Sequence, residues 1–371
     1  MLSRRRFLTI GTGLAAASLT GCTGLSGRTG RRTLRDIVGN RRTFDVEVHL
    51  NDTELYTGTE LPDLIDPSPE RIDRGMKMFG EPGATGYADN LVRYRDYLSR
   101  TSMELKAEFL FDDLDGAGIH SAVHQVVDHS FKASTIGRHY RAGFERMLED
   151  AARIRQNYPG RLITMVGIDP RSGRANAVRQ FETAVRDYGC SGLGEVVLQQ
   201  FETYPHDPVM YALYEKCIEF NLPFSGNCEG PSRYTLPREY EQVAKDLPEL
   251  RILLAGAGRP RNPSQSREPV WDAVRLANEY ENVYLDTADW MRRDREGIEL
   301  YMAFLRRCFD SNAGSKVMYA SDFPVLTSMY STRDWVDVLI NQAGDYGYNF
   351  SDEEITRYFS SNALTFLGSV L

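Results

Sequence analysis

The sequence predicts an α/β protein, a (β/α)8 barrel with a long insertion after its first strand. Two observations lead there. Short apolar runs alternate with helix-patterned stretches over roughly 330 residues, a length suited to one such barrel with insertions. Runs of this kind also read as parallel strands buried on both faces. A doubly wound open sheet is the main alternative, but it would usually carry a glycine-rich phosphate loop, and none occurs.

The elements follow in order. The first strand is Phe44-Asp45-Val46-Glu47-Val48-His49. A helix from Met103 to Leu114, stopped at Asp115-Gly116-Ala117-Gly118, leads into a second strand over Ile119–Val127. The helix His139–Tyr158 ends at the breaker Pro159-Gly160, and Arg161–Ile168 is the third strand. Gly192–Leu198, Leu222–Asn227, Arg251–Ala255, Asn282–Asp286 and Lys316–Ser321 supply strands four to eight. Ser351–Leu367 closes the chain as an amphipathic helix, with Ser351 as N-cap and Glu354 completing a capping box. One connection is unusually long. Between Leu50 and about Thr101 the chain carries Tyr56, Pro62, Pro67, Pro69, Phe79, Pro82, Tyr87 and Tyr94 with little periodicity. Leaving the C-terminal end of strand one, this stretch is expected to overhang the barrel mouth as a lid or pocket wall.

The N-terminus reads as an address. Ser3-Arg4-Arg5-Arg6-Phe7-Leu8 resembles a twin-arginine export signal, and Leu19-Thr20-Gly21-Cys22 matches a lipobox. The apolar stretch between them is too short to span a bilayer as a helix. Residues 1–21 are thus expected to be removed and Cys22 lipidated, leaving the protein exported and anchored outside the cytoplasmic membrane. Residues 22–42 read as a flexible tether and 43–371 as the barrel. Cys190, Cys217, Cys228 and Cys308 show no Cys-x-x-Cys spacing, which argues against a zinc knuckle.

A hydrophobic content of 42% is ample for a core. Removing residues 1–21 takes away three arginines and no acids, so the formal charge moves from −8 to −11. Such acidity argues against nucleic acid as a partner. The expected partners are a small-molecule substrate, the membrane through the lipid, and a second copy in a homo-oligomer.

The chemistry concentrates at the strand ends. Glu47 and His49, two apart on a strand, point the same way and can share one ion. A carboxylate–imidazole set suits Zn or Mn.

Over residues 43–371 the chain resembles the amidohydrolase-related family of barrel hydrolases and decarboxylases. The resemblance rests on Asp45-x-Glu47-x-His49, Gly116-x-Gly118-Ile119, Ile168-Asp169-Pro170-Arg171, Asn282-Val283-Tyr284-Leu285-Asp286-Thr287, Ala320-Ser321-Asp322-Phe323-Pro324 and Ser361-Asn362-Ala363-Leu364. It implies Glu47, His49 and Asp322 as metal ligands, with Asp322 also the general acid/base. Glu195, in Gly192-Leu193-Gly194-Glu195, resembles a strand-four ligand of related barrels. The chain departs from the family on two strands. Asn227, or with a one-residue slip Cys228, stands where strand five would place a histidine, and Gly256 where strand six would. Asn227, Cys228, Glu229, Asp128 and His129 are therefore auxiliary candidates.

The implied activity is metal-dependent hydrolysis of a C–N or C–O bond in a small molecule. The alternatives are non-oxidative decarboxylation of a small aromatic acid, a metal-independent lactonase, and a degenerate barrel that only binds a ligand in the envelope.

Overall fold

In a computed structural model, eight parallel strands run in sequence order: β1 (Phe44–Val48), β2 (Ser121–Val126), β3 (Leu162–Val166), β4 (Leu193–Val196), β5 (Phe224–Asn227), β6 (Ile252–Ala255), β7 (Val283–Asp286) and β8 (Val317–Met318). The structure describes residues 30–50, 87–128, 143–230, 232–260, 265–290, 295–324, 327, 330–368 and 371. The sheet closes on itself where β1 meets the segment after β8. The amides of Val46 and His49 donate to the carbonyls of Tyr319 and Phe323, and that of Asp322 donates to Glu47. This is the expected (β/α)8 architecture, with every strand within a few residues of its expected place.

Helices cover the outside: α1 (Leu34–Val38), α2 (Tyr87–Ser99), α3 (Met103–Ala117), α4 (Phe144–Asn157), α5 (Arg174–Arg186), α6 (Pro208–Glu219), α7 (Glu241–Asp246), α8 (Glu268–Glu279), α9 (Arg295–Phe309) and α10 (Thr332–Asn341). Among the described residues no helix is long and apolar enough to cross a membrane. The final segment, Asp352–Leu367, begins with the capping box expected at Ser351 and Glu354. Removing that cap with Ser351→Ala is expected to cost about 1 kcal/mol, read as a lower denaturant midpoint.

Two expectations need correction. The stretch read as a tether up to Arg42 is structured from Arg32 onward. Thr33 and Asp36 form a capping box that starts α1. Arg32 bonds Asn341 through its backbone, and its guanidinium bonds Asp352. The insertion is likewise not irregular throughout. Residues 87–99 form α2, which buries Tyr94 and Tyr97, with Tyr87, Leu91 and Leu98 packed alongside. Residues 51–86, the rest of the expected lid, and the signal and lipidation residues before Gly30, including Cys22, lie outside the described residues.

The interior is graded along its axis. Its N-terminal half is apolar, filled by Phe44, Val46, Val123, Ile163, Met165, Leu253, Tyr284 and Met318, with Phe366 and Leu367 of the last helix packed into the same cluster. Toward the C-terminal ends the buried side chains become Glu47, His49, Gln125, Glu195, Asn227 and Asp286. Part of this polarity is written in the strands, since β5 and β7 open on Phe224 and Val283 and end on Asn227 and Asp286.

Candidate metal centre

Strict alternation along β1 would put Phe44, Val46 and Val48 inside and leave Glu47 and His49 facing the helices. A β-bulge prevents this. Between Asp45 and Val48 the strand advances one residue more than β2 does from Ala122 to His124. The extra residue flips the register, so Val48 joins the outer core while Glu47 and His49 turn inward. β4 uses the same device. It gains a residue on β5 between Leu193 and Val196, both of which pack outward, and this gain aims Glu195 into the barrel.

The β4 bulge depends on two glycines. Gly194 sits at φ +151°, and a Cβ there would come within 2.6 Å of the Ser225 Cβ. A Cβ on Gly167 would drive into the Glu195 carbonyl oxygen. No side chain larger than hydrogen fits either place without moving backbone.

The imidazole of His49 stands at the centre. Its Nε2 lies 3.2 Å from Asp322, 3.7 Å from Glu195 and 3.8 Å from Glu47. Its Nδ1 lies 2.8 Å from the Gln125 carbonyl, an acceptor that favours a proton on Nδ1 and makes Nε2 the nitrogen presented to the carboxylates. Glu47 accepts a bond from Gln125 Nε2, and Glu195 accepts one of 2.7 Å from Asn227 Nδ2. Asp322 adopts a left-handed backbone, φ 52°, unusual for a residue with a Cβ. Positions that hold such strain concentrate at functional sites.

Electrostatics follow from burial. Desolvation raises Asp322 above the ordinary carboxylate range, and His49 pulls it partly back. Burial pushes Glu195 up to about 7 and Glu47 well above the usual range. Burial disfavours the charged form of His49, but its bonds to Asp322 and Glu47 win and raise it well above the ordinary imidazole value. Carboxylates converging in this way on one imidazole must retain protons or share a cation.

The other candidates separate by strand parity. Asn227 and Glu229 face the cluster: Asn227 Nδ2 bonds Glu195, and Glu229 accepts from the buried Arg259 at 2.8 Å. Cys228, between them, points into the core between sheet and helices, fully buried with its thiol pushed far up by desolvation, so it is not a donor. The strand-five position is therefore Asn227, with no slip. Asp128 is buried at the end of β2, where its carboxylate accepts the Asp169 amide and holds the loop after β3. His129 lies outside the described residues. All four cysteines after residue 30 are buried free thiols. His124 faces the helices, and burial pushes it down to about 3, so it packs as a neutral ring.

Two functional neighbours escaped the sequence reading. Asp286, buried at the end of β7, accepts the amides of Gly256 and Ala288 and is pushed up to about 7 by burial. Its charge in turn raises Glu47. Arg259 is buried and paired with Glu229 and Asp289. A Cβ on Gly256 would lie 3.2 Å from the Glu229 Cβ, so Glu229 fills the space left by the missing strand-six side chain. The signal for Asp286 was in the sequence, as an acid ending an apolar strand. Arg259 carries no comparable signature.

A family model described as amidohydrolase matches residues 51–369. The chain belongs to the amidohydrolase family. Glu47 and His49 precede the matched residues, so their place in this amidohydrolase rests on the geometry above. No curated protein matches the chain.

Solved structures of similar fold include 5-carboxyvanillate decarboxylase from Novosphingobium aromaticivorans, determined with manganese and 4-hydroxy-3-methoxy-5-nitrobenzoic acid. It is 14% identical, covering 92% of this chain and 99% of that one at a TM-score of 0.55. A probable 2-pyrone-4,6-dicarboxylic acid hydrolase from Acinetobacter baumannii, with citric acid bound, is 14% identical over 88% of this chain and 99% of its own at 0.54. A dihydroxybenzoic acid decarboxylase from a Polaromonas species, with manganese and 2-nitroresorcinol, is 13% identical over 88% and 97% at 0.52. At these identities the likeness is one of fold.

The residues suit a divalent cation. One donor atom each from Glu47, His49 and Asp322 lies within 4.8 Å of the others, and Asn227 Oδ1 is a buried acceptor with no hydrogen-bond partner among the described residues. Oxygen donors with one imidazole fit Mn or Zn.

Proposed function

We propose that this amidohydrolase-superfamily enzyme is a divalent-metal-dependent hydrolase that cleaves a C–N or C–O bond in a small molecule. The observation that carries the reading is the convergence of Glu47, His49 and Asp322 on one point, with His49 Nδ1 already committed to Gln125. These three residues would hold the ion, with Glu195 and Asn227 beside them. When bound, the cation supplies a Lewis acid that polarises the substrate's carbonyl and acidifies water. The protein's own residues do the rest. Asp322, raised by burial, takes a proton as water adds to the carbonyl carbon, and returns it to the nitrogen or oxygen that departs as the bond breaks. Asn227 keeps Glu195 turned inward, and Arg259 keeps Glu229 at the wall beside Gly256.

Non-oxidative decarboxylation stays as the second reading because two of the similar solved structures are manganese-bound decarboxylases. In that case Asp322 would deliver a proton to the ring carbon that loses CO2. The N-terminal motifs support a third element of the proposal: the enzyme works outside the cytoplasmic membrane, held there by lipid on Cys22.

The test is a substrate panel of neutral amides, esters and lactones beside hydroxybenzoates. It is assayed on chelator-stripped protein and on protein reloaded with Mn or Zn. Turnover of a neutral amide, ester or lactone that vanishes on stripping and returns on reloading is expected. CO2 release from hydroxybenzoates alone would transfer the site to the second reading. Turnover indifferent to stripping would refute metal dependence.

A further inference from the structure

Asp322 is held in a strained backbone, and strain persists only where the surroundings over-determine it. On its N-terminal side the hold comes from within the barrel. The Asp322 amide donates to the Glu47 carbonyl, and the Ser321 amide donates to Asp45 Oδ1 at 2.9 Å. Beyond Phe323 the segment leaves the sheet, and the hold comes from another part of the chain. Arg93 of α2 donates through Nε and Nη2 to the Thr327 carbonyl at 2.9 and 2.7 Å. The same guanidinium pairs at 2.9 Å with Asp113 of α3, whose carboxylate also accepts the amide of Thr332 where α10 begins. Beneath it, Arg93 lies over the Phe109 ring at 4.5 Å. Phe109 and Tyr97 then pack against Phe323, the neighbour of Asp322, at 6.1 and 5.7 Å.

We infer that Arg93 is a positioning residue for Asp322: through Thr327, Asp113 and the Tyr97–Phe109–Phe323 cluster, it staples the helix that ends the β1–β2 insertion to the loop carrying the proposed ligand and proton carrier. The pair with Asp113 is mostly shielded from water, with Arg93 22% and Asp113 3% exposed at the side chain, so its geometry is held firmly. The planar fork of arginine is what allows one side chain to serve a carbonyl and a carboxylate together, and lysine reproduces only the charge. α2 lies far from β8 in sequence, so the contact gives the insertion a direct mechanical hold on the site. The consequence for the ion rests on the metal reading above.

Two readouts test it on the soluble chain beginning at Thr23: hydrogen exchange of the 319–332 segment, and Mn(II) affinity by electron paramagnetic resonance. Each is measured on wild type, Arg93→Ala and Arg93→Lys, with and without added guanidinium ion. Arg93→Ala is expected to speed exchange in the Asp322 loop while β2–β7 stay protected, and to weaken Mn(II) binding at least tenfold. Guanidinium should restore part of both effects, and lysine less. Unchanged loop exchange in Arg93→Ala, or faster exchange throughout the barrel that guanidinium does not reverse, would overturn the staple. Wild type that binds no Mn(II) would overturn the metal reading, while loop exchange would still decide the staple.

Discussion

An Asp322→Asn enzyme is expected to fold normally and to turn over its substrate ~10²–10⁴-fold more slowly, the range associated with losing a positioned acid/base. The fold should survive because asparagine adopts the left-handed backbone at least as readily as aspartate, and the hydrogen bond from the residue's backbone amide to the Glu47 carbonyl does not involve the side chain. Asparagine cannot accept and return a proton, and its neutral oxygen is a poorer partner for both His49 and a cation. The loss should therefore appear chiefly in kcat, with weaker metal retention beside it. Steady-state kinetics on a substrate from the panel, together with a thermal melt, checks both halves. A variant with wild-type kcat would remove Asp322 from the chemistry.

Gly167→Ala should have the largest effect on stability, about 3 kcal/mol, near the upper end for overpacking. The added methyl meets a backbone carbonyl, that of Glu195, which has no rotamer to escape into. β4 must move away, and its bulge carries Glu195 toward His49, so the metal site should loosen together with the fold. The check is a denaturation curve paired with Mn(II) affinity: a lower midpoint and weaker binding are expected. If stability falls while affinity stays at the wild-type value, Glu195 is not part of the site.

Much of this was legible in the sequence. The eight strands stood out because each is a short apolar run between breakers, and strands buried on both faces leave that signature regardless of tertiary detail. Glu47, His49, Glu195 and Asp322 were identifiable as acids and an imidazole ending those runs. The reason they converge was not legible. On β1 the argument that residues two apart share a face was right for Glu47 and His49, but it did not say which face. A bulge decides that, and a bulge is a property of strand pairing rather than of one strand. The choice between Asn227 and Cys228 needed the same information. α2 was hidden differently: Tyr87, Leu91, Tyr94 and Leu98 keep helical spacing, but the proline-rich stretch before them masked the period. The Thr33–Asp36 cap was readable and outweighed by its glycine- and arginine-rich surroundings. Arg93 and Arg259 act through partners distant in sequence, and no local pattern marks such residues.

Glu47, His49 and Asp322 are proposed to bind one divalent cation. Metal content of the soluble chain from Thr23, purified without chelator, beside the Asp322→Asn variant, tests it most directly. Close to one Mn or Zn per wild-type chain, lost or weakened in the variant, is the predicted result. No metal in either protein, even after soaking with excess Mn or Zn, would contradict it.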